Sequence, residues 1–198
     1  MRSRIMMYEA SVPVFRKMLA NCGTFLSKAD LLAKARGLSP AELVNTRLCP
    51  DMFALGRQVI ILTDGARGCA EHLCGISQED SNFAVFDRGA DSDFEDEEYT
   101  LPDLTKRIDD TIAFLATLSD EQFIGAENRR VTLNKRGQTR SFLGLPFLLQ
   151  YALPNFYFHL TIVYAILRQS GVPLGKRDYE GEPAYAQSSQ ELRRTCTR

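Results

Sequence analysis

A chain of 198 residues with 44% hydrophobic and 25% charged side chains has the size and balance of one globular domain with a full core. Its 24 basic and 25 acidic residues leave a net charge of −1, which offers no global attraction to nucleic acid or to an anionic membrane. The opening MRSRIMMYEASVPVF holds Glu9 and Pro13 and lacks the apolar stretch of an export signal, and the five cysteines contain no CxxC pair; both features fit reduced thiols in a cytoplasmic protein.

In chain order, Phe15, Met18, Leu19, Cys22, Phe25, Leu26, Ala29, Leu32 and Ala33 recur at steps of three and four, which predicts a long amphipathic helix ended by Gly37. Cys22 lies in that stripe and is expected to be a small core residue. Ser39-Pro40-Ala41-Glu42 is a capping box with proline at the first helical position, so a short helix follows. Pro50-Asp51 is expected to open the next long helix with Asp51 as its N-cap. Leu55, Val59, Leu62, Ala66, Cys69 and Leu73 form its stripe, and Gly75 closes it.

Residues 78–99 break the pattern. From Gln78 to Glu98 the chain holds nine carboxylates against one Arg88, with apolar residues scattered without period, and reads as a solvated acidic loop inserted in a helical domain. Helix resumes at Thr100-Leu101-Pro102-Asp103, with Leu104, Ile108, Leu115 and Leu118 on its face. The segments Arg130–Leu133 and Gln138–Phe142 flank Asn134-Lys135-Arg136-Gly137, the pattern of a small β-hairpin. Its arginines lack aromatic interleaving and read as a solvated face rather than an RNA surface. Residues 180–198 are polar and are expected to form a disordered tail behind a domain spanning 1–179.

The stretch Phe142–Leu167 contains no Asp, Glu, Lys or Arg. A helix that apolar must be surrounded by lipid or by its own domain. Pro146, Gln150, Pro154, Asn155 and His159 inside it, and the amphipathic faces of every other helix, favour burial in a bundle over a membrane span. The fold expected from pattern alone is all-α: a four-helix bundle with a short extra helix and a small hairpin before the last long helix.

Asn155 and His159 stand four apart and share one helix face. Gln58 intrudes on an apolar stripe between Leu55 and Leu62 and needs a hydrogen-bond partner, for which Asn155 and His159 are the natural choices. The neutral and charged forms of a histidine both lie within reach near pH 7, so His159 suits general acid–base work; Asp51 and Tyr157 are expected to orient it or share its proton. Phe53, Tyr151, Phe156 and Tyr164, with Asn155 and Gln58, are the expected lining of a pocket for a small, flat, mostly apolar metabolite. The same network could equally satisfy itself and fix helix register, with no substrate.

Four stretches, MYEASVPVFRKML, ARGLSPAELVNTRLCPDMFALGRQV, LPNFYFHLTIVYAILR and GVPLGKRDY, resemble the domain of unknown function numbered nineteen ninety-three, a branch of the DinB/YfiT-like helical bundles. The resemblance implies a four-helix bundle with a pocket at one end of its core. It also implies, for many relatives, a divalent metal on three histidines, two of them spaced HxxxH, and for some of them transferase or hydrolase activity. Here the pair reads Asn155-x-x-x-His159, the position matching the third ligand holds Gln58, and the chain has only two histidines, His72 and His159. The expectation is therefore a small-molecule-binding bundle with cofactor-independent acid–base chemistry of the isomerase, cyclase or dehydratase kind, and no cofactor. The alternatives are a metal-dependent transferase or hydrolase with a degenerate site, and a non-catalytic bundle that binds a ligand or forms a homodimer through a flat helix face.

Overall fold

The computed structural model describes residues 6–37, 39–76, 99–135 and 138–182; the acidic insertion and the segment 183–198 lie outside them. Four long helices dominate: α1 (Val12–Arg36), α3 (Leu55–Cys74), α4 (Leu101–Ala116) and α6 (Leu153–Gln169). Around the bundle, α1 packs on α4, α4 on α3, α3 on α6, and α6 closes back on α1. Short elements complete the order: α2 (Pro40–Val44), the strands β1 (Arg130–Lys135) and β2 (Gln138–Leu143), the single turn α5 (Gly144–Pro146) and α7 (Lys176–Glu180).

The local signals act as elementary chemistry requires. Gly37, at φ 64°, caps α1 by donating its N–H to Ala33 and Lys34 carbonyls, a left-handed conformation that costs glycine nothing. Asp103 closes a capping box on α4, its carboxylate accepting from the Thr100 N–H at 2.9 Å. Phe15, Leu19, Cys22, Phe25 and Leu26 from α1, with Leu55, Leu62, Leu104, Ile108, Leu160 and Val163, form the dry core. Burial pushes the Cys22 thiol up to about 12, so it packs as a small hydrophobe.

Three expectations need correction. First, α3 begins at Leu55 with Ala54 as N-cap, not at Asp51. Cys49–Met52 is a turn closed by the Met52 N–H on the Cys49 carbonyl at 3.0 Å, with proline at its second position, and it leaves Asp51 exposed. Second, the charge-free run is not one buried helix. Phe142 and Leu143 belong to β2, and a π-helical segment, Phe147–Ala152, precedes α6. Pro154 has no N–H to return to Gln150, which removes one α-type bond at this junction. Third, α6 is covered on one side only: Phe156, Leu160, Val163 and Leu167 are buried, whereas Tyr157 and Phe158 are 37% and 55% exposed.

Between α3 and α4 runs a polar seam that the apolar stripes do not announce. Arg107 forms an ion pair with Asp64 and donates from Nε to Thr63 Oγ1 at 2.9 Å. Arg67 lies over the Phe114 ring at 4.1 Å and donates to Glu71 at 2.9 Å. The hairpin pairs Arg130 with Leu143 and Lys135 with Gln138, and Val131 and Leu133 turn inward. Where it enters α5 the backbone of Gly144 lies so close to Ala126 that a Cβ would run into the Ala126 carbonyl. At the far end, α7 straps α1 to α6. Asp178 accepts from Lys28 Nζ at 2.7 Å and from the Gly175 N–H at 2.8 Å, and Tyr179 packs against Phe25 and Tyr164.

Candidate functional site

Gln58 stands on the first turn of α3 and is 1% exposed. A buried amide must use both ends. Its Nε2 donates to the Phe53 carbonyl at 3.2 Å, so its Oε1 faces α6, 2.7 Å from Nδ1 of His159. An amide oxygen can only accept. Nδ1 therefore carries the proton, and in the neutral ring Nε2 is the acceptor nitrogen. One glutamine thus sets the tautomer of a half-buried histidine on a facing helix.

Asn155 does not join that pair. It is exposed, and its Nδ2 donates to the Tyr151 carbonyl at 2.6 Å. That bond, to the carbonyl four residues back, is a local duty that spacing alone did not reveal.

The other expected residues are spread around the pair. Phe53 is half-buried beside Gln58 and lies under Arg57, whose guanidinium carbon is 6.0 Å from the ring centroid. Phe158 stands edge-on to the His159 ring at 5.3 Å. Phe156 is buried against Phe15, and Tyr164 against Phe25 and Tyr179, so both face the core. Tyr151 packs with Phe142 and Phe147 beneath the hairpin; burial pushes its phenol up, opposed by Arg140. Tyr157 is on the outer side of α6, and burial, with Tyr179 nearby, pushes its phenol up as well. Asp51 sits in its exposed turn before α3. The neighbour that sequence reasoning passed over is Arg57. Its signal was available, because Arg57-Gln58 is the only polar pair between Leu55 and Leu62.

The donor set does not fit a three-ligand metal centre. Asn155 is committed to a backbone carbonyl and Gln58 to Phe53 and His159, and neutral amides are poor zinc ligands. Among the described residues no three His, Cys, Asp or Glu side chains gather as a ligand set. His72, the second histidine, stands edge-on to Phe147 near the end of α3, and burial lowers its pKa. A separate cavity of about 120 Å³, lined by Met7, Tyr8, Asp120, Phe123, Ile124 and Glu127, involves none of the residues around His159. Among the described residues no helix is long and apolar enough to cross a membrane.

Four packed helices, a hairpin before the last of them and a histidine pinned across the α3–α6 contact define a bundle of the DinB-like class. A DinB family member protein from Shewanella denitrificans has the same fold: the two superpose with a TM-score of 0.77 at 33% identity, over 92% of this chain and 96% of that one. The family model described as "Domain of unknown function (DUF1993)" matches residues 7–180, and the chain belongs to that family. No curated protein matches it.

Proposed function

We propose that this protein binds a small organic molecule against His159 and uses the imidazole as a general base and acid, without a cofactor. The observation that carries the reading is the bond from His159 Nδ1 to Gln58 Oε1 at 2.7 Å. Holding Nδ1–H in place leaves Nε2 as the nitrogen that takes a proton from a bound molecule. The amide oxygen accepts equally well from the imidazolium that forms, so nothing need reorganise as the proton moves. A single base that removes a proton from one atom and returns it to another suffices for an isomerisation. Cyclisation and dehydration need the same two transfers in a different order. Phe53 and Phe158 offer apolar and aromatic surface beside the ring, which favours a flat and mostly apolar ligand.

The test is retention of a small molecule from a metabolite extract by purified protein, read by mass spectrometry after washing and denaturation. Wild type is expected to retain a compound that His159→Gln loses while still folded, and to convert it with a pH dependence that His159→Gln lacks. A protein that retains nothing dependent on His159 would overturn the proposal.

A further inference from the structure

The cavity that shares no residue with the His159 site lies where α1 begins and the chain leaves α4. Two stretches meet there. Residues 7–11 form a turn ahead of α1, locked by the Ser11 hydroxyl donating to the Met7 carbonyl at 2.6 Å. Asp120–Phe123 and Ala126–Asn128 form single turns of 3₁₀ helix, joined through Gly125 at φ 76°, a conformation that other residues adopt only with strain. The space between them, about 120 Å³, has room for about ten waters. Its lining divides by chemistry. Met7 and Phe123, 4% and 3% exposed, supply buried apolar surface. Tyr8 stands edge-on to Phe123, with ring centroids 5.5 Å apart at 75°, so the pair offers aromatic surface in two orientations. Asp120, exposed, and Glu127, half-buried, add two carboxylates, and among the described residues no lysine, arginine or histidine lines the space.

We propose that this cavity binds a small methylated ammonium ion, with its alkyl groups against the Tyr8 and Phe123 rings and its charge balanced by Asp120 and Glu127. The lining rejects the other classes of ligand in turn. An anion would meet two carboxylates and no cation. A hydrated inorganic cation or a primary ammonium would lose water against Met7 and Phe123 and find too few acceptors to replace it. A neutral hydrocarbon gains nothing from the carboxylates. A methylated ammonium is weakly hydrated and spreads its charge over its alkyl groups, so aromatic faces and carboxylates attract it together. Solvent screens the exposed Asp120, which sets the affinity on the order of millimolar.

An NMR titration of ¹⁵N-labelled protein with choline, and with its neutral isostere 3,3-dimethyl-1-butanol, tests this. Choline is expected to shift the amide signals of Tyr8, Phe123 and Gly125, and the alcohol to bind at least about tenfold more weakly. Raising the salt from about 50 mM to about 500 mM should weaken choline and leave the alcohol unmoved. Asp120→Asn alters an exposed side chain, so its circular dichroism should match wild type while choline binds about threefold more weakly. Adding Glu127→Gln should bring the loss to about tenfold. Asp110→Asn, on the exposed face of α4, and His159→Gln should leave choline binding unchanged. Choline that shifts no signal at this end of the bundle, binds no better than the alcohol, is indifferent to both carboxylate substitutions or is lost with His159→Gln would overturn the proposal.

Discussion

Replacing Gln58 by Met keeps the length and approximate shape of the side chain and removes both of its hydrogen bonds. In the structure those bonds join the Phe53 carbonyl at 3.2 Å to His159 Nδ1 at 2.7 Å across an amide that is 1% exposed. Each net bond contributes about 1 kcal/mol, and each partner left unmade in a dry place costs about 1–3 kcal/mol. His159 is half-buried and regains some water, and the thioether recovers some apolar burial, so the expected loss is about 2 kcal/mol. For a domain of this size that corresponds to a fall in Tm of about 4–8 °C. Urea denaturation at neutral pH reads the loss directly as a shift in midpoint at constant slope. A variant within about 0.5 kcal/mol of wild type would refute the reasoning, because it would mean that water already satisfies both partners.

Three further perturbations follow from the packing. Arg107→Ala removes the ion-pair partner across the α3–α4 seam from the Asp64 carboxylate, only 3% exposed, and is expected to cost about 3 kcal/mol, read as a large drop in Tm. Gly144→Ala drives a Cβ into the Ala126 carbonyl and should cost about 1–3 kcal/mol or more by the same assay, whereas Gly65→Ala, with open space around its Cβ, should not destabilise. Asp178 is held below the ordinary carboxylate range first by the hydrogen bond from Lys28 and then by the Gly175 N–H. A depressed pKa means that its stabilisation is present above the unfolded value near 3.8 and is lost as pH falls through the folded value. Asp178→Asn should therefore melt below wild type at neutral pH, and the difference should vanish at the acid end of a Tm series.

The fold was legible where the signals are local. Gly37, Gly75 and the Thr100–Asp103 capping box punctuate the chain with residues whose chemistry acts within one turn, and the apolar stripes between them need only a period of 3.6. Legibility failed where two structures share a signal. Pro50-Asp51 begins helices and makes turns with equal ease, and the bond from the Leu55 N–H back to Thr46 decides between them. The site divided along the same line. That Gln58 needs a partner can be read from its apolar neighbours, because burial makes the demand. That Asn155 answers to Tyr151 instead cannot be read, because a side-chain bond to the carbonyl four residues back competes with any partner on another helix and leaves no mark in the spacing. The strap α7 escaped for another reason: Lys28, which holds Asp178, is 150 positions away, and Lys176–Glu180 alone looks like any polar segment.

Two-bond ¹H–¹⁵N correlation spectra of the imidazole of His159 test the central claim most directly, since they report which ring nitrogen holds the proton. Above the pH at which the ring deprotonates, Nδ1 is expected to carry the hydrogen and Nε2 to appear as the bare nitrogen, with the preference lost in Gln58→Met. A wild-type ring protonated at Nε2 would contradict the account, because Gln58 would then not be holding the base towards a ligand.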